Sequence, residues 1–121
     1  MQFVGKTRFG DSLQVHIDVD IKLETIQIPR FILQPLIENA VKHGISKTEK
    51  NGTIELSIRL YKNHLEIVVS DNGPDFPDDL VSGHGLQSVY DLLRLSYKEN
   101  ASMNWENSPK KKITILIHSV K

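Results

Sequence analysis

The sequence predicts an α+β fold, a two-layer α/β sandwich in which helices cover one face of a mainly antiparallel mixed sheet. Three observations lead there: runs of apolar/polar alternation recur along the chain, two helical patterns lie among them, and two alternating runs are separated by a short polar break. Leu13, Val15, Ile17 and Val19 alternate with Gln14, His16, Asp18 and Asp20, the period-2 pattern of a half-buried strand. A helix follows between residues 31 and 43, where Leu36, Ile37, Ala40 and Val41 recur at helical spacing and Gly44 offers a stop. Pro35 lacks an N–H, so the regular helix is expected to start near it, with Pro35 in the first turn, after a shorter turn over residues 29–33.

Ile54, Leu56, Ile58 and Leu60 alternate, as do Leu65, Ile67 and Val69, and the break Lys62-Asn63-His64 predicts an antiparallel hairpin. Residues 71–85 hold three glycines, two prolines and four aspartates, so they read as a loop. That loop ends at a helix carrying Leu86, Val89, Leu92 and Leu93 on one face. Strands over 102–106 and 113–117, joined by the turn Asn107-Ser108-Pro109-Lys110, complete the pattern.

With 121 residues and 39% hydrophobic content, the chain has the material for one domain core and little for a second. Fifteen basic and fifteen acidic side chains cancel. Attraction to nucleic acid or anionic membrane by bulk charge is thereby excluded. Without cysteine there is no disulfide framework and no thiolate metal site, a composition that suits a reducing cytoplasm. No apolar run approaches the roughly 20 residues that span a bilayer, and the opening Met-Gln-Phe-Val-Gly-Lys lacks the apolar stretch of a signal peptide.

Three segments carry candidate chemistry. On Leu36-Ile37-Glu38-Asn39-Ala40-Val41-Lys42-His43-Gly44, the apolar residues leave Glu38, Asn39, Lys42 and His43 for the opposite side, with Asn39 and His43 neighbours at i,i+4. An amide oxygen is a hard, neutral ligand for Mg²⁺ already held by a triphosphate, and a lysine beside it offsets phosphate charge. Asp71-Asn72-Gly73 follows an apolar strand, so a carboxylate stands at a strand end where it can accept from an exocyclic amino group, and Gly73 permits close approach of a flat base. Gly83-His84-Gly85-Leu86 opens a helix whose amides and dipole can face phosphates. Singly, each segment has an ordinary reading: an amphipathic helix with a Glu38/Lys42 pair, a common turn, a flexible connection.

In order, Leu33-Gln34-Pro35-Leu36-Ile37-Glu38-Asn39-Ala40-Val41-Lys42-His43-Gly44, Asp71-Asn72-Gly73-Pro74 and Gly83-His84-Gly85-Leu86 resemble the ATP-binding motifs of the superfamily joining gyrase, Hsp90, histidine kinases and MutL. The similarity is to the LytS/YehU-like branch of sensor histidine kinases and runs from Arg8-Phe9-Gly10-Asp11 to the last strand. The resemblance implies a Bergerat-type ATP-binding fold, with residues 13–121 as the catalytic domain and residues 1–12 as the exit from an upstream dimerisation helix. It implies ATP and Mg²⁺ as cofactors. Asn39 would coordinate Mg²⁺, Lys42 would contact phosphate, and His43 would lie against the nucleotide. Asp71 would bond the adenine amino group with Gly73 beside the base, while Gly83, Gly85 and the Leu86 amide would border the phosphates.

In ATPase branches an acidic residue one helical turn before the Asn activates water; here that position is Pro35, which favours phosphoryl transfer to a histidine over hydrolysis. No residue is assigned to the transfer step itself, and Glu38 receives no firm role. The Pro-His-Phe-Leu-Phe-Asn-type motif around the phosphorylated histidine is not in this chain, so the chain alone is not expected to phosphorylate itself. The implied partners are the histidine-bearing dimerisation region and a response regulator. The implied parent is a homodimeric inner-membrane sensor with this domain on the cytoplasmic side. Two features depart from the family pattern: Asp75 stands where Gly usually follows Asp-Asn-Gly-Pro, and Ser88 where Asn is common. They leave open a degenerate interaction module of the same fold, and a serine kinase of the anti-sigma-factor type is a further alternative.

Overall fold

The computed structural model describes residues 2–9, 13–20, 30–44, 52–61, 64–78, 80 and 86–118. Strands β1 (Gln2–Phe9), β2 (Leu13–Asp20), β3 (Gly52–Tyr61), β4 (His64–Asp71), β5 (Ala101–Glu106) and β6 (Lys112–Ile117) form one six-stranded sheet in the order β1-β2-β3-β4-β6-β5. Helix α1 (Arg30–Asn39) runs into a π-helical turn, Ala40–Gly44, and helix α2 (Gln87–Tyr97) into a 3₁₀ turn, Lys98–Asn100. Every strand pair is antiparallel except β2–β3, whose crossover contains α1. The expected α+β sandwich with a mainly antiparallel mixed sheet is the observed one.

Register gathers the alternating apolar residues onto one face. Val19 pairs with Ile58, Ile58 with Ile67, Ile67 with Ile115 and Ile115 with Met103, so a continuous apolar row crosses five strands. A neighbouring row runs Ile17, Leu56, Val69, Ile113, Trp105. Leu36 and Ala40 from the α1 segment and Val89 and Leu93 from α2 are buried in the same core. Each of the leucine and valine side chains contributes about 1.5–3 kcal/mol when fully removed from water.

The alternation pattern did not predict strand β1, which pairs with β2 from Gln2↔Asp20 to Phe9↔Leu13. Backbone pairing supplies the reason: β2 has a second edge, opposite β3, whose N–H and C=O groups β1 satisfies. Pro35 lies inside α1 rather than in its first turn, since the helix already begins at Arg30. The hydrogen bond lost at Pro35 is offset by the burial of Leu36 and Ala40, with Leu33 and Ile37 packed beside them.

At the β2–β3 pair, the Arg59 guanidinium forms a salt bridge with the Asp18 carboxylate, with one bond to Oδ1 of 3.0 Å and another to the Asp18 carbonyl of 3.1 Å. The hydrogen bond from Arg59, helped by its charge and opposed by desolvation, holds the Asp18 carboxyl below its ordinary 3.8. A carboxyl depressed in the folded state stabilises fully above its unfolded value and loses that contribution as pH falls through the folded value. The stability gap between the native chain and Asp18→Asn should therefore be constant near neutrality and close as pH drops below 3.8. Urea unfolding of both chains across the acid range measures it, and a gap independent of pH would exclude this linkage.

At the opposite end of β4 from Asp71, the Nδ1 atoms of His64 and His118 lie 2.9 Å apart with the rings edge to face, so one ring donates and the other accepts. Both are exposed.

Candidate functional site

Asp71 closes β4 two residues beyond Val69, so it stays on the core-facing side of the sheet, across from Ile54. Its side chain is 2% exposed. Oδ1 accepts the Gly73 backbone N–H at 2.8 Å, an Asx turn that reverses the chain, and the Lys111 ammonium at 2.6 Å. Asn72 ties this turn to the start of β3: its N–H donates to the Thr53 carbonyl at 3.2 Å, and its Oδ1 accepts the Thr53 N–H at 2.9 Å. Asp-Asn-Gly is thus a turn fixed at both flanks and holding a desolvated carboxylate.

Lys111 was not singled out from the sequence, where it follows the turn Asn107-Ser108-Pro109-Lys110. Period-2 alternation carried back from Ile117, Ile115 and Ile113 places position 111 on the apolar face, and that is the signal that could have found it. Its side chain is 8% exposed, and its ammonium lies 4.5 Å from the Phe76 ring centroid, within cation–π range. Phe76 is fixed in turn by Asn107, also missed: its Oδ1 accepts the Phe76 N–H at 2.7 Å and its Nδ2 donates to the Phe76 carbonyl at 3.2 Å. The β5–β6 turn therefore clamps the segment that follows Gly73.

Asn39 ends α1 and is buried at 5% exposure. Lys42 is exposed on the π-helical turn, which also contains the backbone of His43; the side chain of His43 lies outside the described residues. This turn packs against β4, so Asn39 and Lys42 belong to a segment adjoining the strand that ends in Asp71. Leu86 is fully buried immediately before α2, where its carbonyl accepts the Tyr90 N–H at 3.1 Å. Gly83 and Gly85 lie outside the described residues. Asp75 is exposed. Ser88 is also exposed and, with Gln34, Pro35, Glu38 and Leu92, lines an open cleft of about 440 Å³ between the helices. Glu38 accepts from Gln34 Nε2 at 3.0 Å, and neither Asn39 nor Asp71 is part of that lining.

Comparison with known proteins decides the family. Residues 24–118 match the model of the histidine kinase-, DNA gyrase B-, and HSP90-like ATPases. The chain belongs to this ATPase family. Within it the chain is similar to sensor histidine kinase BtsS of Escherichia coli K12, 38% identical over 92 residues that make up 75% of this chain and 16% of BtsS. Sensor protein LytS of Oceanobacillus iheyensis is 38% identical over 78 residues, 64% of this chain and 13% of that protein. The chain thus spans under a fifth of the length of these curated relatives. Histidine kinase ThkA, solved in complex with response regulator protein TrrA, shares the fold at a TM-score of 0.61 and 17% identity, over 86% of this chain and 33% of that one. The LytS-like resemblance read from the motifs is borne out, and the histidine kinase-type ATPase domain is the frame for the site. No helix among the described residues is long and apolar enough to cross a membrane.

Proposed function

We propose that this chain binds Mg·ATP and is the catalytic domain of a LytS-like sensor histidine kinase, transferring the γ-phosphoryl group to a histidine on an upstream dimerisation region. The observation that carries the reading is the Asp71 carboxylate: it is desolvated at a strand end, and both of its hydrogen bonds among the described residues fall on Oδ1. Oδ2 is then the acceptor for the amino group of adenine, with Gly73 against the base. Lys42, exposed on the turn beside β4, meets phosphate, and His43 lies along the nucleotide. Gly83, Gly85 and the amide of Leu86, at the entrance to α2, border the phosphate chain.

Among the described residues no three His, Cys, Asp or Glu side chains form a metal cluster. A single neutral amide such as Asn39 fits a Mg²⁺ ion that arrives already coordinated by phosphates. Bound there, the ion would neutralise charge on the phosphate oxygens. The chain's own task is to hold the triphosphate for in-line transfer, and Pro35, one turn before Asn39, supplies no carboxylate to activate water.

The acceptor histidine, the passage of phosphate to a response regulator, and a homodimeric membrane-attached parent with this domain on its cytoplasmic side belong to the same proposal. The sensor-kinase names of the relatives support the transfer to a histidine, and the ThkA–TrrA complex supports a response regulator as partner. The division into residues 1–12 and an ATP-binding unit over 13–121 belongs to the proposal as well.

Calorimetric titration with a non-hydrolysable ATP analogue tests the reading. Saturable binding is expected, with Asn39→Ala weakening it about tenfold in the presence of Mg²⁺ and much less without, as loss of one metal contact predicts. A folded chain that binds nothing at millimolar nucleotide would instead be a partner-holding module of the same fold.

A further inference from the structure

Lys111 is a buried cation to which the phosphoryl-transfer reading gives no task. It immediately precedes β6 and is buried, and a lysine in such a place must be paired. Its ammonium is fixed from two directions: Asp71 Oδ1 at 2.6 Å and the Phe76 ring face at 4.5 Å. Phe76 shares two hydrogen bonds with Asn107, one in each direction, so the ring behind the ammonium is tied to the β5–β6 turn. Covered in this way, Lys111 is badly placed to serve as a phosphate ligand, whereas Lys42 is exposed.

The consequence falls on Asp71. A carboxylate at a strand end can rotate about its terminal torsion. Here Oδ1 is held by two donors, Lys111 Nζ and the Gly73 N–H, and among the described residues Oδ2 receives none. We propose that Lys111 is a positioning residue for base recognition: by holding Oδ1 it presents Oδ2 of Asp71 to the exocyclic amino group of a 6-aminopurine nucleotide. This rests on the nucleotide reading above and adds to it the residue that sets the base-reading geometry.

The test compares ATP with purine riboside triphosphate, which lacks only the 6-amino group, each titrated with Mg²⁺ into the native chain and into Lys111→Met. The native chain should prefer ATP by about tenfold or more, the range of a hydrogen bond to a charged acceptor. Lys111→Met should cut that preference to about twofold while leaving affinity for the amino-less nucleotide nearly unchanged. A merely structural lysine would weaken both nucleotides together, and that outcome overturns the proposal. Should circular dichroism show Lys111→Met unfolded, Lys111→Gln, neutral and too short to reach Oδ1 in the same way, takes its place; a preference below about threefold supports the proposal and a persisting tenfold preference overturns it. A native chain that binds both nucleotides equally removes the role of Lys111 but leaves nucleotide binding standing. A native chain that binds neither overturns the nucleotide reading itself.

Discussion

Asp71→Asn is expected to lower affinity for Mg·ATP by about 10- to 100-fold and to cost about 3–5 kcal/mol of stability, because two interactions fail together. The first is recognition: an amide lacks the charge that makes a carboxylate a strong acceptor for an amino group. The second is internal. Lys111, 8% exposed and paired with Asp71 at 2.6 Å, is left as a buried cation without its counter-ion. Removing one member of such a pair is far more damaging than replacing both by apolar groups of similar volume. The double substitution Asp71→Leu with Lys111→Met should thus regain most of the lost stability while nucleotide binding stays absent. Urea unfolding measures the first quantity, and titration under conditions where each variant is folded measures the second. If Asp71→Asn bound ATP as tightly as the native chain, the base would be read elsewhere and the site as assigned would fall.

The parts of this fold that were legible in the sequence are those in which a single periodicity meets a single environment. β2, β3, β4 and β6 each have one buried face, and their alternation survives into register pairs such as Ile58↔Ile67 and Ile67↔Ile115. α2 was legible for the same reason at a period of 3.6, with Val89 and Leu93 buried. β1 was not, because Gly5, Lys6, Thr7 and Arg8 break any alternation, and its strand character comes from pairing with β2. Pro35 misled because local propensity disfavours a helix interior, whereas the burial of Leu36 and Ala40 outweighs it.

Asp71 stood out in the sequence as a candidate through its place at the end of an apolar strand. The contacts made by Lys111 and Asn107 did not stand out, because their partners are 40 and 31 residues away along the chain. A lysine in a basic run and an asparagine in a turn look like solvent-facing residues until the register of β6 and the path of the segment after Gly73 are known.

Ile115→Ala should lower stability by about 2–5 kcal/mol, in the upper part of that range, and leave nucleotide affinity per folded molecule intact. Ile115 is completely buried on β6 and lies between Ile67 of β4 and Met103 of β5, in the row that continues through Ile58 to Val19. Those neighbours are fixed by strand pairing on both sides, so they cannot move in to fill the space of the lost methyl and ethyl groups, and the cavity term adds to the transfer term. Ile115→Val removes a single methylene and should cost only about 0.5–1.5 kcal/mol. Binding is expected to persist because the contacts at Asp71, Gly73, Lys111 and Thr53 are made at the strand ends and in their turns, one or more rows away from Ile115. The pair of measurements therefore separates two roles of the sheet: the central row supplies free energy that keeps the strands together, and the ends of β4 and β6 carry the contacts on which the proposed nucleotide site rests. A loss of affinity in Ile115→Ala beyond what its unfolded fraction explains would mean that the site depends on packing two rows deep, and the placement of Asp71 would have to be treated as a property of the whole sheet.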